Sequence, residues 1–440
     1  MRHLTASRAA ACFAAGWLGY FTVLQFSVVR YRLGIVVVLT SVAILLGTAM
    51  VRRWRLTSFP RPVLAVALLG SALVAEVVPF FSHTEPADRR LLAHVVALCS
   101  LLAATALGVR GPRGRALAAG SAVLGAVAST AMAIVLSPAP RIDVWVTLQQ
   151  ASDGLGAGEN FYAMSWRDSP GIQDAFTYLP WTAVLLAPGR WLAGDVRWAL
   201  LVAMLIGLGA MVALGRRSTL ALAATALLAV APGSVTQAEQ AWTEPLLFAC
   251  LAAWALLVHR GHGWWAVLPL ALGCASKQHL AVVLVVVACW PGFGLRKAVA
   301  TGATTSLLIA PWFIASPGDF WHDTVSLLVS FPPIRFANTW FIAARTELGI
   351  TPPFWLTAAI VLSVIVTACV LVRRPRCDLA ELLGWLALVL LAANLVNKQG
   401  FYNQYWLSGA LVALALAALP AATRPRHDTL GSAMTTRLSA

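Results

Sequence analysis

The 440-residue chain has few charged residues and no arrangement of cysteines that suggests cross-linking. Asp, Glu, Lys and Arg together make up 11% of it, whereas an ordinary soluble domain has about a quarter. This scarcity of charge excludes a soluble globular enzyme and a disordered chain. Its seven cysteines are an odd number without a CxxC pair, and most lie in apolar runs. Neither a disulfide framework nor a cysteine metal site is therefore indicated.

Motifs of several enzyme classes are also missing. No GxxxxGK[ST] segment is present, which argues against ATP hydrolysis by this chain. No HExxH or cysteine–histidine cluster indicates zinc, and no GxSxG indicates a serine hydrolase. The chemistry must therefore be sought in less standard residue patterns.

What the chain has is apolar sequence and positive charge. Hydrophobic residues make up 60% of it, the mean hydropathy is +0.78, and the formal net charge is +15. An excess of basic residues can indicate nucleic-acid binding. In so apolar a chain it is better explained by a polytopic membrane protein with basic cytoplasmic loops, and no nucleic-acid partner is expected.

Apolar runs predict about fourteen transmembrane helices in an all-α fold. A crossing helix needs about 20 mostly apolar residues, and shorter ones occur in packed bundles. The predicted spans are 9–29, 34–51, 62–81, 91–109, 116–137, 196–215, 218–233, 242–258, 264–276, 279–291, 298–315, 353–372, 380–396 and 403–420.

Loop charges predict the orientation. With the N-terminus inside, every cytoplasmic loop is basic, as the positive-inside rule requires. Of the 17 acidic residues, only Asp378, Glu381 and Asp428 fall inside, and the other fourteen fall outside or at outer helix ends. The prediction is a multi-pass plasma-membrane (inner-membrane) protein with both termini in the cytoplasm. The basic residues of the predicted cytoplasmic segments include Arg52, Arg53, Arg55, Arg61, Arg110, Arg113, Arg115, Arg216, Arg217, Arg260, Arg296, Lys297, Arg373, Arg374, Arg376, Arg424, Arg426 and Arg437.

Two predicted outer loops, 138–195 and 316–352, are too long to be simple turns. Both are rich in aromatic residues and proline, which predicts ordered structure, and Tyr178–Trp191 is predicted to be a helix at the membrane interface. The predicted organisation is a four-helix module at 1–110, a main transmembrane module at 111–422, and a cytoplasmic tail at 423–440.

Asp143, in the segment RIDVW, is the first candidate for chemistry. It follows the fifth span directly, at the outer membrane surface, and has Ile142, Val144 and Trp145 beside it. Partial loss of water raises the pKa of a carboxylate and makes it a usable general base. The alternative is a polar residue that ends a helix and faces water.

Two lysines are the second candidate. The chain has only three, and Lys277 and Lys398 lie at predicted outer helix ends, against the charge bias of the loops. A lysine at an outer interface can neutralise a lipid phosphate, and the nearby His279 and the outer-loop Arg345 are added to this predicted phosphate site. The alternative is that each lysine extends from the membrane to the interface without binding anything.

The segment TQAEQAWTEP at 236–245 is the third candidate. Its polar residues Glu239, Gln240, Thr243 and Glu244 cluster where the chain re-enters the membrane, which makes them candidate binding residues. The same segment also fits an ordinary helix start, since Thr243 precedes an acid and a proline.

The order of features after the fifth span resembles the first extracytoplasmic loop of the GT-C superfamily of polyprenyl-phosphate-sugar glycosyltransferases. Asp143 is followed by an amphipathic run (Val144, Leu148, Ala151), the segment GLGAGENFY ending at Tyr162, and FTYLP at 176–180. The pattern is most similar to bacterial family-87-type polyprenol-phosphate mannosyltransferases and to actinobacterial arabinofuranosyltransferases. Trp181 stands where these enzymes have a second proline. The resemblance covers about 116–420.

The resemblance implies a GT-C fold with a catalytic outer loop, and an inverting glycosyltransferase that uses a polyprenyl-phosphate sugar. Asp143 would be the base, and Lys277 matches a lysine that family-87-type enzymes carry between two short helices. No DxD or ExD occurs in the outer loops, so no metal and no other cofactor is expected. The acceptor would be an envelope glycolipid or polysaccharide, and the sugar mannose or, next, arabinofuranose. The predicted sugar and acceptor contacts are Tyr162, Tyr178, Glu239, Gln240, Tyr402 and Asn403.

Two alternatives share the predicted helices. One is a transporter or flippase of a lipid-linked sugar, and the other is a non-catalytic scaffold of envelope synthesis. Transporters place polar residues near the bilayer midplane, often in two related halves, whereas here the polar cluster is predicted at the outer surface. The chain is rich in Ala, Leu, Val and Arg and poor in Lys, a high-GC bias that fits an actinobacterium.

Overall fold

A computed structural model describes residues 6–216 and 218–420 of the chain. Arg217 and the predicted tail at 423–440 lie outside the described residues. Within the described ranges the protein is entirely helical and has no β-strand. The all-α prediction is therefore confirmed.

Twenty α-helices, a short 3₁₀-helix at Phe161–Ala163 and a π-helical turn at His322–Ser326 make up the described fold. The α-helices are α1 Ala6–Ser27, α2 Leu33–Val51, α3 Arg61–Val77, α4 Pro86–Ala106, α5 Pro112–Leu136, α6 Asp143–Gly156, α7 Trp181–Ala193, α8 Val196–Leu214, α9 Thr219–Ala229, α10 Ser234–Glu239, α11 Glu244–His259, α12 Val267–Cys274, α13 Leu280–Cys289, α14 Leu295–Ala315, α15 Pro317–Trp321, α16 Leu327–Ser330, α17 Trp340–Leu348, α18 Phe354–Val372, α19 Leu379–Val396 and α20 Tyr402–Ala418.

Each of the fourteen predicted spans coincides with one of these helices. In the described residues, eight helices are long and apolar enough to cross a membrane: α1, α2, α4, α5, α8, α14, α18 and α19. The other six predicted spans coincide with the shorter helices α3, α9, α11, α12, α13 and α20. The chain is a multi-pass helical membrane protein, and crossing by the short helices stays a prediction.

The two ends of the bundle differ in chemistry. The loop after α2 is joined to the start of α19 by ion pairs, Arg53 to Glu381 at 3.2 Å and Arg55 to Asp378 at 2.6 Å. The opposite ends of α1 and α19, together with the first turn of α20, border a polar cavity. The arginine-rich loop after α2, predicted as cytoplasmic, and the loop after α19, predicted as extracytoplasmic, therefore lie at opposite ends of α19.

The first four helices pack against the rest of the chain in one hydrophobic core. Residues of α1, α2 and α3 share this core with α9, α11, α19 and α20. The Tyr20 hydroxyl of α1 donates a hydrogen bond of 2.7 Å to the carbonyl oxygen of Tyr405 in α20. The predicted module boundary near residue 110 therefore does not coincide with a separate core.

The outer loop 138–195 folds onto the bundle with a hydrophobic core of its own. The predicted amphipathic helix after Asp143 is confirmed as α6, where Leu148 and Ala151 are fully buried. The helix predicted within Tyr178–Trp191 is present as α7, and Pro188 lies inside it without ending it; its place at the membrane interface stays a prediction. Gly194, with a φ of +80°, ends α7 in the left-handed conformation that glycine adopts readily. Together α6 and α7 bring the Asp143 region beside the ends of the long helices.

Candidate active site

One cavity of about 610 Å³ lies where the predicted outer loops meet. The loops after α1, α3, α5, α10, α12 and α19 all contribute to its lining, as do the outer loops around residues 170–178 and 328–338. Eight of the eleven predicted site residues line it, namely Asp143, Tyr178, Gln240, Lys277, His279, Lys398, Tyr402 and Asn403. The structure therefore brings together predicted residues from five separate parts of the sequence.

Asp143 begins α6 and presents an unpaired carboxylate to the cavity. One carboxylate oxygen accepts a hydrogen bond of 2.9 Å from the Val144 amide. No cation in the described ranges 6–216 and 218–420 forms an ion pair with it. Burial raises the pKa of the Asp143 carboxyl above its ordinary value, although the amide hydrogen bond opposes this shift. A half-buried carboxylate without a counter-ion has the chemistry of a general base.

Gly171 packs directly against the Asp143 carboxylate. A Cβ atom at residue 171 would lie only 2.6 Å from Asp143 Oδ2. Only glycine therefore lets the 170–172 segment approach the side chain this closely.

Lys277 lies in the linker between α12 and α13 and is held by a buried acid. Its Nζ donates hydrogen bonds to Glu244 Oε1 and, at 3.1 Å, to Thr243 Oγ1. The Glu244 side chain has no exposed surface, and its Oε1 also accepts from Asn403 Nδ2 at 2.8 Å. Two of the three N–H groups of Lys277 are thus used, and the third is available to a ligand.

Tyr178 lies close to both the base and this lysine. Lys277 Nζ is 5.5 Å from the centroid of the Tyr178 ring. Burial raises the pKa of Tyr178, and the charges of Asp143 and Glu244 raise it further. The phenol therefore stays protonated, and Asp143 and Lys277 both lie close to one side chain.

Backbone pairing holds the FTYLP segment against the linker that carries Lys277. The amides of Leu179 and Trp181 donate to the carbonyl oxygens of Ser276 and Ala275, at 3.2 and 3.1 Å. The Gln278 side chain donates to the Thr177 carbonyl oxygen at 2.9 Å. The resemblance singled out both segments, and the structure joins them directly.

Lys398 approaches the cavity from the loop between α19 and α20. Its Nζ donates two hydrogen bonds of 2.7 Å, to the carbonyl oxygens of Val329 and Phe331. Burial lowers the pKa of Lys398 from its ordinary value. The third N–H group can reach a ligand, while the first two tie the 329–331 segment to the rim of the site.

His279 and Tyr402 complete the lining around Lys277. His279 directly precedes α13, two residues after Lys277, and lines the cavity. The Tyr402 ring stacks on Trp242 with centroids 5.4 Å apart. It packs on Gly233, where φ is +86° and a Cβ would lie 2.4 Å from the ring, so residue 233 must be glycine.

Three predicted site residues lie away from the lining. Tyr162 is buried in the aromatic core of the outer loop, where its hydroxyl donates to the Tyr178 carbonyl oxygen at 2.8 Å. Glu239 is fully buried behind the cavity wall and accepts from the His83 amide at 2.7 Å. Arg345 is exposed on α17. Tyr162 and Glu239 thus support the wall of the cavity.

The structure adds residues that were not among the predicted site residues. Glu244, which belongs to the polar cluster at 236–245, contacts both Lys277 and Asn403. Arg141, two residues before Asp143, also lines the cavity, as do Phe81 and His83 from the loop between α3 and α4. The signal for Glu244 was its position in the same polar segment as Glu239.

In residues 6–216 and 218–420, no three His, Cys, Asp or Glu side chains are grouped as metal ligands would be. The acid of the second outer loop, Asp323, instead accepts a hydrogen bond of 2.8 Å from the Phe176 amide. It therefore ties the two outer loops together.

No protein-family model and no curated protein matches the chain. Among solved structures, it is similar to the crystal structure of ArnT from Cupriavidus metallidurans bound to undecaprenyl phosphate, with 14% sequence identity and a TM-score of 0.44. The likeness covers 67% of this chain and 59% of the ArnT chain. This chain therefore spans about three fifths of the length of that protein.

Proposed function

We propose that the protein is a GT-C-type glycosyltransferase that moves a sugar from a polyprenyl phosphate to a hydroxyl acceptor. The observation that carries the proposal is the shared cavity of Asp143, Lys277 and Lys398. An unpaired carboxylate and two lysines, each with an unused N–H group, supply the base and the phosphate contacts of such a reaction. The cavity lies at the end of α19 opposite the arginine-rich loop after α2, which supports an extracytoplasmic reaction.

In the proposed reaction the Asp143 carboxylate takes the proton of the acceptor hydroxyl. The acceptor oxygen then forms a bond to the anomeric carbon, while the bond from that carbon to the phosphate oxygen breaks on the opposite face. The configuration at the anomeric carbon is inverted. The polyprenyl phosphate leaves with the electron pair, and it needs stabilisation of negative charge, which Lys277 and Lys398 provide, but no proton.

The lining also suits the lipid part of the donor. Leu328, Phe331 and Ile334 line the cavity beside the carbonyl groups that bind Lys398. Val28 and Val29 add apolar surface from the end of α1. A phosphate held at Lys398 would therefore have apolar side chains next to it for the first isoprene units.

For the sugar we propose mannose first and arabinofuranose second, with an envelope glycolipid or polysaccharide as the acceptor. This choice rests on the sequence resemblance to family-87-type enzymes. The amide side chains of Gln240 and Asn403, both on the cavity, are the proposed hydroxyl contacts, and Tyr402 offers an aromatic ring.

A transporter of lipid-linked sugars would need polar groups near the bilayer midplane. The polar side chains of this cavity are instead carried by loops and by the terminal turns of helices. The placement therefore favours catalysis at the membrane surface.

The test is a transfer assay with the purified full chain in lipid nanodiscs. Decaprenyl phosphates carrying labelled mannose or labelled arabinofuranose are supplied with octyl α-D-mannopyranoside as acceptor. We expect transfer of label to the acceptor, release of one decaprenyl phosphate for each product, and a product with the anomeric configuration opposite to that of the donor. A retained configuration, or movement of intact donor across vesicles without transfer, would contradict the proposal.

A further inference from the structure

The loop that joins α3 to α4, residues 78–85, reaches the cavity from the first four helices. Its residues Phe81 and His83 line the cavity together with Asp143. The predicted site contained no residue from this part of the chain. The structure therefore raises the question of what the loop contributes.

Buried side chains of the 236–239 segment fix the loop in place. Glu239, which is fully buried, accepts a hydrogen bond of 2.7 Å from the His83 amide. Thr236 Oγ1 donates to the Phe81 carbonyl oxygen at 2.7 Å. Arg89 of α4 donates to the carbonyl oxygens on both sides of His83, at 3.1 and 3.2 Å. A loop held at four backbone positions presents its side chains in a defined direction.

The loop belongs to the same wall of the cavity as the base. Arg197 is fully buried and donates to the Ser137 carbonyl oxygen at 2.8 Å and to the Glu239 carbonyl oxygen at 3.3 Å. Ser137 directly follows α5, six residues before Asp143, and Glu239 binds the amide of His83. One buried guanidinium thus connects the supports of Asp143 and of His83.

The His83 side chain has unused hydrogen-bonding capacity. In the described part of the chain, neither imidazole nitrogen has a hydrogen-bond partner. The ring forms an edge-to-face aromatic pair with Phe81, with centroids 5.1 Å apart. A half-buried imidazole that donates through one nitrogen and accepts through the other can bind a hydroxyl group in either direction. Phe81 and Trp242 offer aromatic surface to the same cavity.

We propose that the α3–α4 loop forms part of the acceptor subsite, in which His83 binds a saccharide hydroxyl beside Asp143. This inference rests on the proposed glycosyl transfer and assigns a task to the first four helices. Their loop contributes to the part of the cavity that binds the acceptor hydroxyl, while Lys277 and Lys398 bind the donor phosphate. His83 is a binding and specificity residue, and the proton is taken by Asp143.

The experiment measures binding apart from turnover. Octyl α-D-mannopyranoside and decaprenyl-phosphate mannose are each titrated against the full chain in nanodiscs. The variants are His83→Ala, His83→Gln, which keeps a donor and an acceptor, and His94→Ala, a matched control on α4 whose ring is exposed and bonded to Glu76. Thermal unfolding of each variant reports whether it is folded.

We expect His83→Ala to weaken binding of the octyl glycoside about tenfold, the size expected for one hydrogen bond in a pocket with its ring contact. His83→Gln should stay within about threefold of the wild type, His94→Ala should equal it, and donor binding should not change in any variant. Equal glycoside affinity of His83→Ala and wild type, no binding of the glycoside by the wild type, or a parallel loss of donor affinity would overturn the inference. Binding with the expected pattern but no transfer would refute the proposed reaction and leave the subsite standing.

Discussion

The ion pair between Lys277 and Glu244 permits a test that separates stability from binding. Lys277 is 12% exposed and Glu244 is fully buried. Glu244 Oε2 already lacks a hydrogen-bond partner in the described structure. Replacing the lysine by methionine therefore leaves a buried carboxylate without its cation.

Breaking a buried pair by removal of one partner costs about 3–5 kcal/mol. Adding Glu244→Gln to Lys277→Met removes the stranded charge, and the new amide oxygen can still accept from Asn403. The double variant should therefore lose only about 1–2 kcal/mol, the scale of the missing hydrogen bonds. Binding of the donor should not recover, because the phosphate still lacks the ammonium group.

Thermal unfolding in nanodiscs can be followed with a thiol-reactive dye, since Cys99, Cys250 and Cys274 are buried in the folded chain. We expect a large loss of stability for Lys277→Met and recovery of most of it in the double variant. Both should raise the KM for the polyprenyl-phosphate donor by about tenfold or more, the effect of one charged hydrogen bond. Lys297→Met is the matched control, because Lys297 binds the Phe293 carbonyl oxygen away from the cavity.

Two results would refute this reasoning. If the double variant is as unstable as Lys277→Met, the buried carboxylate is not the source of the instability. If the double variant recovers the wild-type KM for the donor, Lys277 does not bind the phosphate.

Two further predictions concern Asp143. Gly171→Ala places a Cβ against the Asp143 carboxylate and should lower kcat while thermal unfolding changes little; an unchanged kcat would show that the carboxylate does not need this position. Because burial raises the Asp143 pKa, the carboxylate takes up its proton at a higher pH than an exposed Asp, so activity should fall as pH decreases through that raised pKa. A pH–rate profile of the wild type checks this, and activity that persists down to pH about 4, near the ordinary pKa of Asp, would argue against Asp143 as the base.

The helices were predictable because hydrophobicity alone determines which segments enter a membrane. The outer-loop helices α6 and α7 were also predictable, because an apolar stretch bounded by turn-forming residues is typical of an amphipathic helix. Hydropathy could not show that the first four helices share a core with α19 and α20. Contacts such as that of Tyr20 with Tyr405 join residues at opposite ends of the sequence.

Lys277 and Lys398 could be found from the sequence because they lie at predicted outer helix ends, against the charge bias of the loops. His83 could not be found in this way, because nothing in the sequence distinguishes a histidine in a short outer loop until the fold brings it into the same cavity as Asp143. The choice between Glu239 and Glu244 depends on the turn between them, where Ala241 has a φ of +55°. This turn determines which of the two acids contacts Lys277, and the sequence of the segment does not reveal the conformation of the turn.

Buried and ligand-facing aromatics also look alike in sequence. Tyr162 follows a glycine-rich break and was predicted to contact a sugar, yet its ring packs against Phe161 and Phe176. Arg345 was predicted to bind phosphate, yet it is exposed on α17 and does not line the cavity. Aromatic and basic residues are common at outer interfaces whether or not they bind a ligand.

The most direct test of the account compares Asp143→Asn with Asp153→Asn in the transfer assay. Both aspartates lie on α6, but Asp153 is half exposed and pairs with Arg190 at 2.7 Å, outside the cavity. We predict that Asp143→Asn lowers the rate of transfer from decaprenyl-phosphate mannose, or from the arabinofuranose donor, by about 10²–10⁴-fold, the usual contribution of a general base. Donor binding should be retained, and Asp153→Asn should transfer at the wild-type rate. Undiminished transfer by a folded Asp143→Asn protein would contradict the central claim.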